Sequence, residues 1–238
     1  MSNFIADPNF LIREAQPPDF AQIAAMEEMV WRKENTPVLG TEHFWAWHKT
    51  YPQGFMIAER QGKIVGMICA EIIAYKPDEA FPWPTFDAVT NKSYISGTHQ
   101  PKGTHHFGLT VCSVDKGAGA PLLEALIALA NRTGRPLLGV SRLPGLTAYL
   151  NSEAAQESGQ SESNLALHYV HTTVTMGNGR VHPRLFSAYN PASCPPVNSP
   201  DPTLRRYVRH GRFRFMEFLS NFWHDPPGHD STVLFMQD

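Results

Sequence analysis

A layered α/β domain, with a mixed central sheet and helices on both faces, is the fold class this sequence predicts. Three observations predict it. Short apolar runs of strand character alternate with segments of helical period. Glycine and proline fall mostly between those segments. A hydrophobic content of 42% over 238 residues, against 18% charged, is enough to bury a sizeable core. No internal repeat breaks the chain, and residues 1–238 are expected to form a single domain.

"FLIREA" (Phe10–Ala15) reads as a strand. "PPDFAQIAAMEEMVW" follows with Phe20, Ile23, Met26 or Glu27, and Val30 at helical spacing, and Asp19 after two prolines starts it. "TEHFWAWHKTYPQG" is a second helix, ending at Pro52–Gly54. "FMIAERQGKIVGMICAEII" reads as two strands joined by the turn Arg60-Gln61-Gly62-Lys63, a hairpin with Gly in the loop. Residues 74–104 are rich in Pro, Gly and polar residues and read as a long connection, a kind that is usually functional. "HHFGLTVCSV" is a strand, and a helix from Pro121 places Leu122, Leu123, Leu126, Ile127 and Ala130 on one side. "RPLLGVSRL" is the next strand. Residues 151–200 are expected as a second long insertion, beginning with the exposed, low-complexity "NSEAAQESGQSES". Asp201-Pro202 opens the helix "TLRRYVRH", which Gly211 stops; two strands, "RFRFMEFLSNF" and "STVLFMQ", close the chain.

A formal net charge of −2 gives no electrostatic footprint for nucleic acid or an anionic membrane. The local exception, "LRRYVRHGRFRF", reads as a solvated helix face. Three widely spaced cysteines, Cys69, Cys112 and Cys194, suit a reducing compartment better than a disulfide framework. No Cys/His spacing points to zinc, so no metal is expected. No apolar run approaches the ~20 residues of a membrane span. The start of the chain has no basic and apolar leader pattern, and a cytoplasmic location is expected.

Chemistry concentrates in "SVDKGAGAPLLEALIALANRTG" (Ser113–Gly134), where a strand turns into a helix through two glycines and several small residues. Backbone N–H groups at a helix start carry partial positive charge, and a glycine-rich approach lets a diphosphate reach them. Lys116, Gly117, Ala118, Gly119 and Ala120 are the candidate cradle, with Lys116 adding a point charge. Neither the P-loop pattern nor the dinucleotide fingerprint is present. An ordinary tight turn explains the glycines equally well.

The element order, the glycine turn and the later "RRYVRHGRF" together resemble the GNAT acyltransferase superfamily. In that fold the diphosphate of coenzyme A docks on the turn motif [Q/R]xxGx[G/A]; here Gly117 and Gly119 match, Val114 stands in the first position, and the turn is shorter. The resemblance implies acetyl-CoA or another coenzyme A thioester as acyl donor. It implies backbone contacts at Val111 and Cys112, and a tyrosine beside the thioester sulfur. Tyr207, with Gly211 at the YxxxGF spacing and Phe213 one place late, matches that tyrosine. A phenol keeps its proton at neutral pH and can protonate a departing thiolate. Within the superfamily, Trp31, the "GTHQPKG" loop and the ending "DPTLRRYVRHGR" resemble a branch of larger bacterial proteins that includes the GNAT-like loading domains of polyketide synthases. That likeness implies substrate contacts at Trp31 and Ser141.

An attacking amine must shed a proton, and His105, His106 and Glu71 are candidates to take it. Strand alternation puts His105 on a face with Phe107, Leu109 and Val111, and His106 with Gly108 and Thr110. The superfamily often carries a carboxylate near the place of His105, which makes His105 the first choice. Cys112 invites a nucleophile assignment, although an apolar strand thiol without a partner motif is usually inert. Phe44, Trp45 and Trp47 read as core. The function these residues imply is transfer of an acetyl or other acyl group from coenzyme A to the amine of a small molecule. The alternatives are S-acyl transfer or malonyl-type decarboxylation with an acyl carrier protein, and a non-catalytic acyl-CoA-binding protein.

Overall fold

The computed structural model describes residues 6–7, 9–32 and 38–238, which divide into two compact units, Met1–Leu138 and Gly139–Asp238. In the first, β1 (Ala6–Asp7), β2 (Phe10–Glu14), β3 (Phe55–Arg60), β4 (Lys63–Ile73) and β5 (His105–Ser113) run antiparallel in sequence order. The start of β6 (Leu137–Arg142) adds a parallel neighbour through His106↔Leu137 and Phe107↔Leu138. The β3–β4 hairpin turns where expected. Gln61 at φ 51° and Gly62 at φ 75° are both left-handed, the turn whose twist matches a two-residue hairpin.

Helices α1 (Phe20–Trp31) and α2 (Thr41–Thr50) cover one face of this sheet. Phe55 of β3, which pairs with Cys69, sits 6.0 Å from the Phe20 ring, 5.7 Å from Phe44 and 5.0 Å from Trp47. Phe44 and Trp47 are fully buried, as a core assignment requires, whereas Trp45 is 45% exposed. α4 (Gly119–Thr133) covers the other face: a Cβ on Gly66 would come 3.0 Å from Leu122. Burying such side chains contributes ~1.5–3 kcal/mol each. α4 starts two residues earlier than the period of "PLLEALIALA" suggests, so Gly119 and Ala120 form its first turn.

The strand alternation expected for β5 fails at one point. Cys69 pairs with Thr110 but Ala70 pairs with Gly108, leaving Leu109 as an extra residue, a β-bulge. His105 and His106 do lie on opposite faces. Beyond the bulge the faces exchange, so Thr110 and Cys112, not Val111, share the side of His105, Phe107 and Glu71.

The connection 74–104 holds one short helix, α3 (Phe86–Thr90), capped by the Thr85 hydroxyl. Its second half is strapped along β4: Gln100 N–H donates to the Ile72 carbonyl (2.7 Å) and Thr104 N–H to that of Ile73 (2.9 Å), while Arg135 donates to the Gly103 and Pro101 carbonyls.

In the second unit β9 (Thr232–Gln237) lies between β6 and β8 (Phe213–Leu219), and β7 (Arg180–Val181) adds to β8 in parallel. The expectation of a long insertion at 151–200 is corrected in its first half. After α5 (Leu146–Leu150), that stretch carries α6 (Glu153–Glu157) and α7 (Glu162–Thr175), started by the side chains of Ser152 and Ser161. α7 buries Leu165, Ala166, Tyr169, Val170, Thr173 and Val174. Its run of β-branched residues, weak helix formers, is held by that burial. From Ser187 to Pro200 the chain has no regular element. α8 (Leu204–His210) begins over Asp201, whose Oδ1 accepts from Thr203 and Leu204 N–H (2.9 and 2.8 Å). It ends at Gly211 in the left-handed conformation, φ 74°.

Candidate functional site

The first turn of α4 and the segment before it form the glycine turn. Of its five backbone N–H groups, two are already held by Asp115: Gly117 donates to the carboxylate (2.9 Å) and Ala118 to the main-chain carbonyl (3.1 Å). The same carboxylate pairs with Arg60 at 2.8 Å, and these two bonds, Gly117 first, hold it below its usual pKa range. The N–H groups of Lys116, Gly119 and Ala120 have no partner among the described residues. Gly117 is needed for packing, since a Cβ there would meet the Phe10 ring at 3.2 Å. Gly119 is different: the nearest atom to a Cβ would be Ser113 Oγ at 4.0 Å. Nothing in the free protein requires glycine at 119, and space beside it is open where neighbouring N–H groups have no partner among the described residues.

The bulge at Leu109 lies on the strand that feeds this turn, with ionisable side chains on either side of it. Past the bulge, Cys112 is buried, and its thiol is pushed well above its ordinary pKa by burial and by neighbouring Glu27. It is a held proton donor rather than a thiolate nucleophile. Glu27, 1% exposed on α1, also accepts the Trp31 indole N–H (3.2 Å) and the backbone N–H of Leu39. Burial lifts its carboxyl to about 7 although those bonds oppose the shift.

Before the bulge, Glu71 pairs across the sheet with Phe107 and is fully buried. Its Oε2 accepts from the Thr98 hydroxyl at 2.8 Å, and its Oε1 has no partner among the described residues. Burial raises it to about 8. Thr98 belongs to the "GTHQPKG" loop, so that loop delivers a hydroxyl to a buried carboxyl.

His105 stands four residues before the bulge, roughly 13 Å along the strand. It is buried, its Nδ1 lies 2.8 Å from Thr104 Oγ1, and burial depresses its pKa. His106 faces α4, where its Nε2 meets Thr133 Oγ1 at 2.8 Å; burial first, then Arg135, brings it to about 4. Neither imidazole is placed as well as Glu71 to take a proton beside the bulge.

In the second unit, Tyr207 is half-buried on α8 with its ring 4.3 Å from Phe235 and 5.9 Å from Phe213. Its hydroxyl has no hydrogen-bond partner among the described residues, and burial pushes it up to about 12. It keeps its proton throughout the physiological range. Ser141 is fully buried, its hydroxyl donating to the Arg142 carbonyl at 3.1 Å. Arg142 in turn pairs with Asp225 of the C-terminal "FWHDPP" turn. Sequence reasoning also passed over a half-buried aromatic and histidine cluster on α7. His168 Nδ1 lies 2.7 Å from the Tyr189 hydroxyl, and the His171 ring lies 4.8 Å from that of Tyr189. The signal was present as His168 and His171 three apart, but it becomes visible only once 162–175 is read as a helix.

Among the described residues no group of three or more His, Cys, Asp or Glu side chains could hold a metal ion, and no helix is long and apolar enough to cross a membrane.

No family model matches this sequence, and no curated protein is similar to it in sequence. Solved structures are similar in fold. The GphF GNAT-like decarboxylase in complex with isobutyryl-CoA superimposes with a TM-score of 0.64 at 21% identity, covering 95% of this chain and 97% of that one. The loading GNATL domain of CurA from Lyngbya majuscula gives 0.64 at 18%, covering 96% and 97%. Ard1 from Thermoplasma volcanium gives 0.50 at 14%, covering 96% and 97%. The chain has the GNAT fold, a mixed α/β fold, as the resemblance of the glycine turn and the tyrosine helix implied.

Proposed function

We propose that residues 1–238 act as one coenzyme A-dependent acyltransferase domain that moves an acyl group, acetyl in the simplest case, to the amine of a small molecule. The observation that carries this is the start of α4: free N–H groups at Lys116, Gly119 and Ala120 beside a glycine that packing does not require. Such a site suits a diphosphate. A Cβ at 119 would occupy the approach. Gly119→Ala is therefore expected to leave thermal stability unchanged or slightly raised, because alanine is the better helix former. It is expected to weaken acetyl-CoA binding at least about tenfold by calorimetry, the loss of roughly one charge-assisted contact. Unchanged affinity would remove the cradle.

Coenzyme A would supply a thioester, an acyl group activated for transfer to nitrogen. This chain's own groups would do the rest. Backbone N–H groups at Thr110–Cys112, just past the bulge, are suited to hold the carbonyl oxygen, a role commonly worth ~2.7–4 kcal/mol. Glu71 Oε1 takes the amine's proton in place of the initially favoured His105, which is distant from the bulge and engaged with Thr104. Tyr207 gives its proton to the leaving sulfur. Its removal in Tyr207→Phe is expected to lower kcat about tenfold, at the modest end of acid catalysis because a thiolate already leaves readily, with acetyl-CoA affinity unchanged. A variant with full turnover would take Tyr207 out of the reaction.

A second reading is thioester chemistry with a carrier protein, by S-acyl transfer or decarboxylation. It is supported by full-length similarity to the GphF decarboxylase and the CurA loading domain. A thiol-release assay separates the two. Amine-dependent release of coenzyme A from acetyl-CoA supports the first, and carbon dioxide from malonyl-CoA supports the second. Binding without either leaves a non-catalytic acyl-CoA-binding protein.

A further inference from the structure

Three elements meet at one buried carboxyl. Glu27 lies on the inner side of α1, one turn before Trp31, and is 1% exposed. It accepts the Trp31 indole N–H at 3.2 Å from its own helix and the Leu39 N–H from the segment leading to α2, and it neighbours the Cys112 thiol of β5. A buried carboxyl costs stability unless its hydrogen bonds are made, and an apolar residue at this place in the helix would avoid that cost. Nothing in the packing of α1 alone needs an acid there, since Phe20, Ile23 and Met26 already supply its apolar side. The three neighbours have one thing in common: together they set the end of α1 and the half-buried Trp31 ring against the strand past the bulge.

We propose that Glu27 is a positioning residue for the acceptor side of the site, clamping the Trp31 indole against the Cys112 end of β5 so that Trp31 presents a fixed wall to the substrate. This rests on the acyltransferase reading for what the wall contacts, but not for the clamp itself. With its carboxyl lifted to about 7, the clamp changes protonation near neutrality: below that it is a neutral acid, above it a charged and stronger acceptor for the indole. The other ionisable groups on the buried sides of the elements packed against α1 are Asp19 ahead of it, His43 and His48 on α2, Cys69 and Glu71 on β4, and His105 and Cys112 on β5. Any observed titration must therefore be assigned by substitution.

The test uses the full chain labelled with ¹⁵N-tryptophan and no ligand. The Trp31 Nε1–H resonance, identified by its loss in Trp31→Phe, is expected to shift with pH with a midpoint near 7 and to become flat in Glu27→Gln. A resonance that does not titrate, or that titrates equally in Glu27→Gln, overturns the clamp. With acetyl-CoA and an accepted amine, Glu27→Gln is expected to raise the amine KM about tenfold with kcat within about twofold. The double variant with Trp31→Phe should be no worse than Trp31→Phe alone, because the two residues act as one. Additive losses would mean that Glu27 only supports the fold. Acetyl-CoA affinity measured by calorimetry should be the same in Glu27→Gln as in the parent. No binding in the parent would sink the acyltransferase reading and leave the resonance to decide the clamp.

Discussion

Glu71→Gln is expected to slow amine acetylation by about 10²–10⁴-fold, the usual loss on removing a placed acid or base, while making the protein more stable above pH 8. Both effects come from one carboxyl. It is fully buried, holds a single hydrogen bond from Thr98, and is raised by burial from 4.5 to about 8. The native state therefore keeps a proton that the unfolded chain releases from about 4.5 upward. Stability on this account is full below the unfolded value and is lost as pH rises through 4.5 toward 8. Glutamine, an uncharged isostere of the acid, removes that loss. The expected gain is near zero at pH 4 and on the order of 5 kcal/mol above pH 8, measured by urea unfolding. In the parent, kcat should climb with pH through about 8 as the carboxyl ionises, and that limb should vanish with the substitution. A glutamine variant that keeps full turnover would exclude Glu71 as the proton acceptor, whatever its stability.

Asp225→Ala should cost about 3–5 kcal/mol, the range for stripping one partner from a buried ion pair. Asp225 is 1% exposed, and its Oδ1 accepts from Arg142 Nη2 at 2.5 Å. Its backbone N–H also donates to Asp230 Oδ1 (2.6 Å), and its carbonyl accepts from Gly228 and Asp230. Alanine would remove the Asp225 carboxylate from the largely buried Arg142 guanidinium. In thermal unfolding the expected fall in Tm is about 10 °C for a chain of this size. Replacing both partners together, Arg142→Met with Asp225→Leu, should recover much of the loss, since apolar pairs often match buried ion pairs. A loss under about 1 kcal/mol for Asp225→Ala would mean that water reaches the pair freely. This ion pair ties the C-terminal turn to a strand distant in sequence. The basic partner at "FWHDPP" comes from β6, more than eighty residues earlier.

The sequence by itself determined the elements whose cause is local. Gln61-Gly62 specifies its hairpin through backbone conformation, and Gly211 stops α8 for the same reason. Phe20, Ile23 and Met26 mark the buried side of α1, and the glycines before Leu122 mark the start of α4, where Lys116, Gly119 and Ala120 have unpartnered N–H groups among the described residues. Those local signals, in order, were enough for the α/β layers and for the likeness to the GNAT fold. What only the tertiary structure decided depends on pairing and packing between distant segments. The bulge at Leu109 exists because β5 is one residue longer than its match on β4, and that extra residue moved Thr110 and Cys112 to the side of Glu71. The α7 helix exists because burial outweighs weak propensity in its β-branched run. The sequence placed Glu27 at the helical spacing of α1 and Glu71 among the candidate bases, but nothing local in it sets their proton affinity. Their altered proton affinity is created by the residues that fold over them and exclude water.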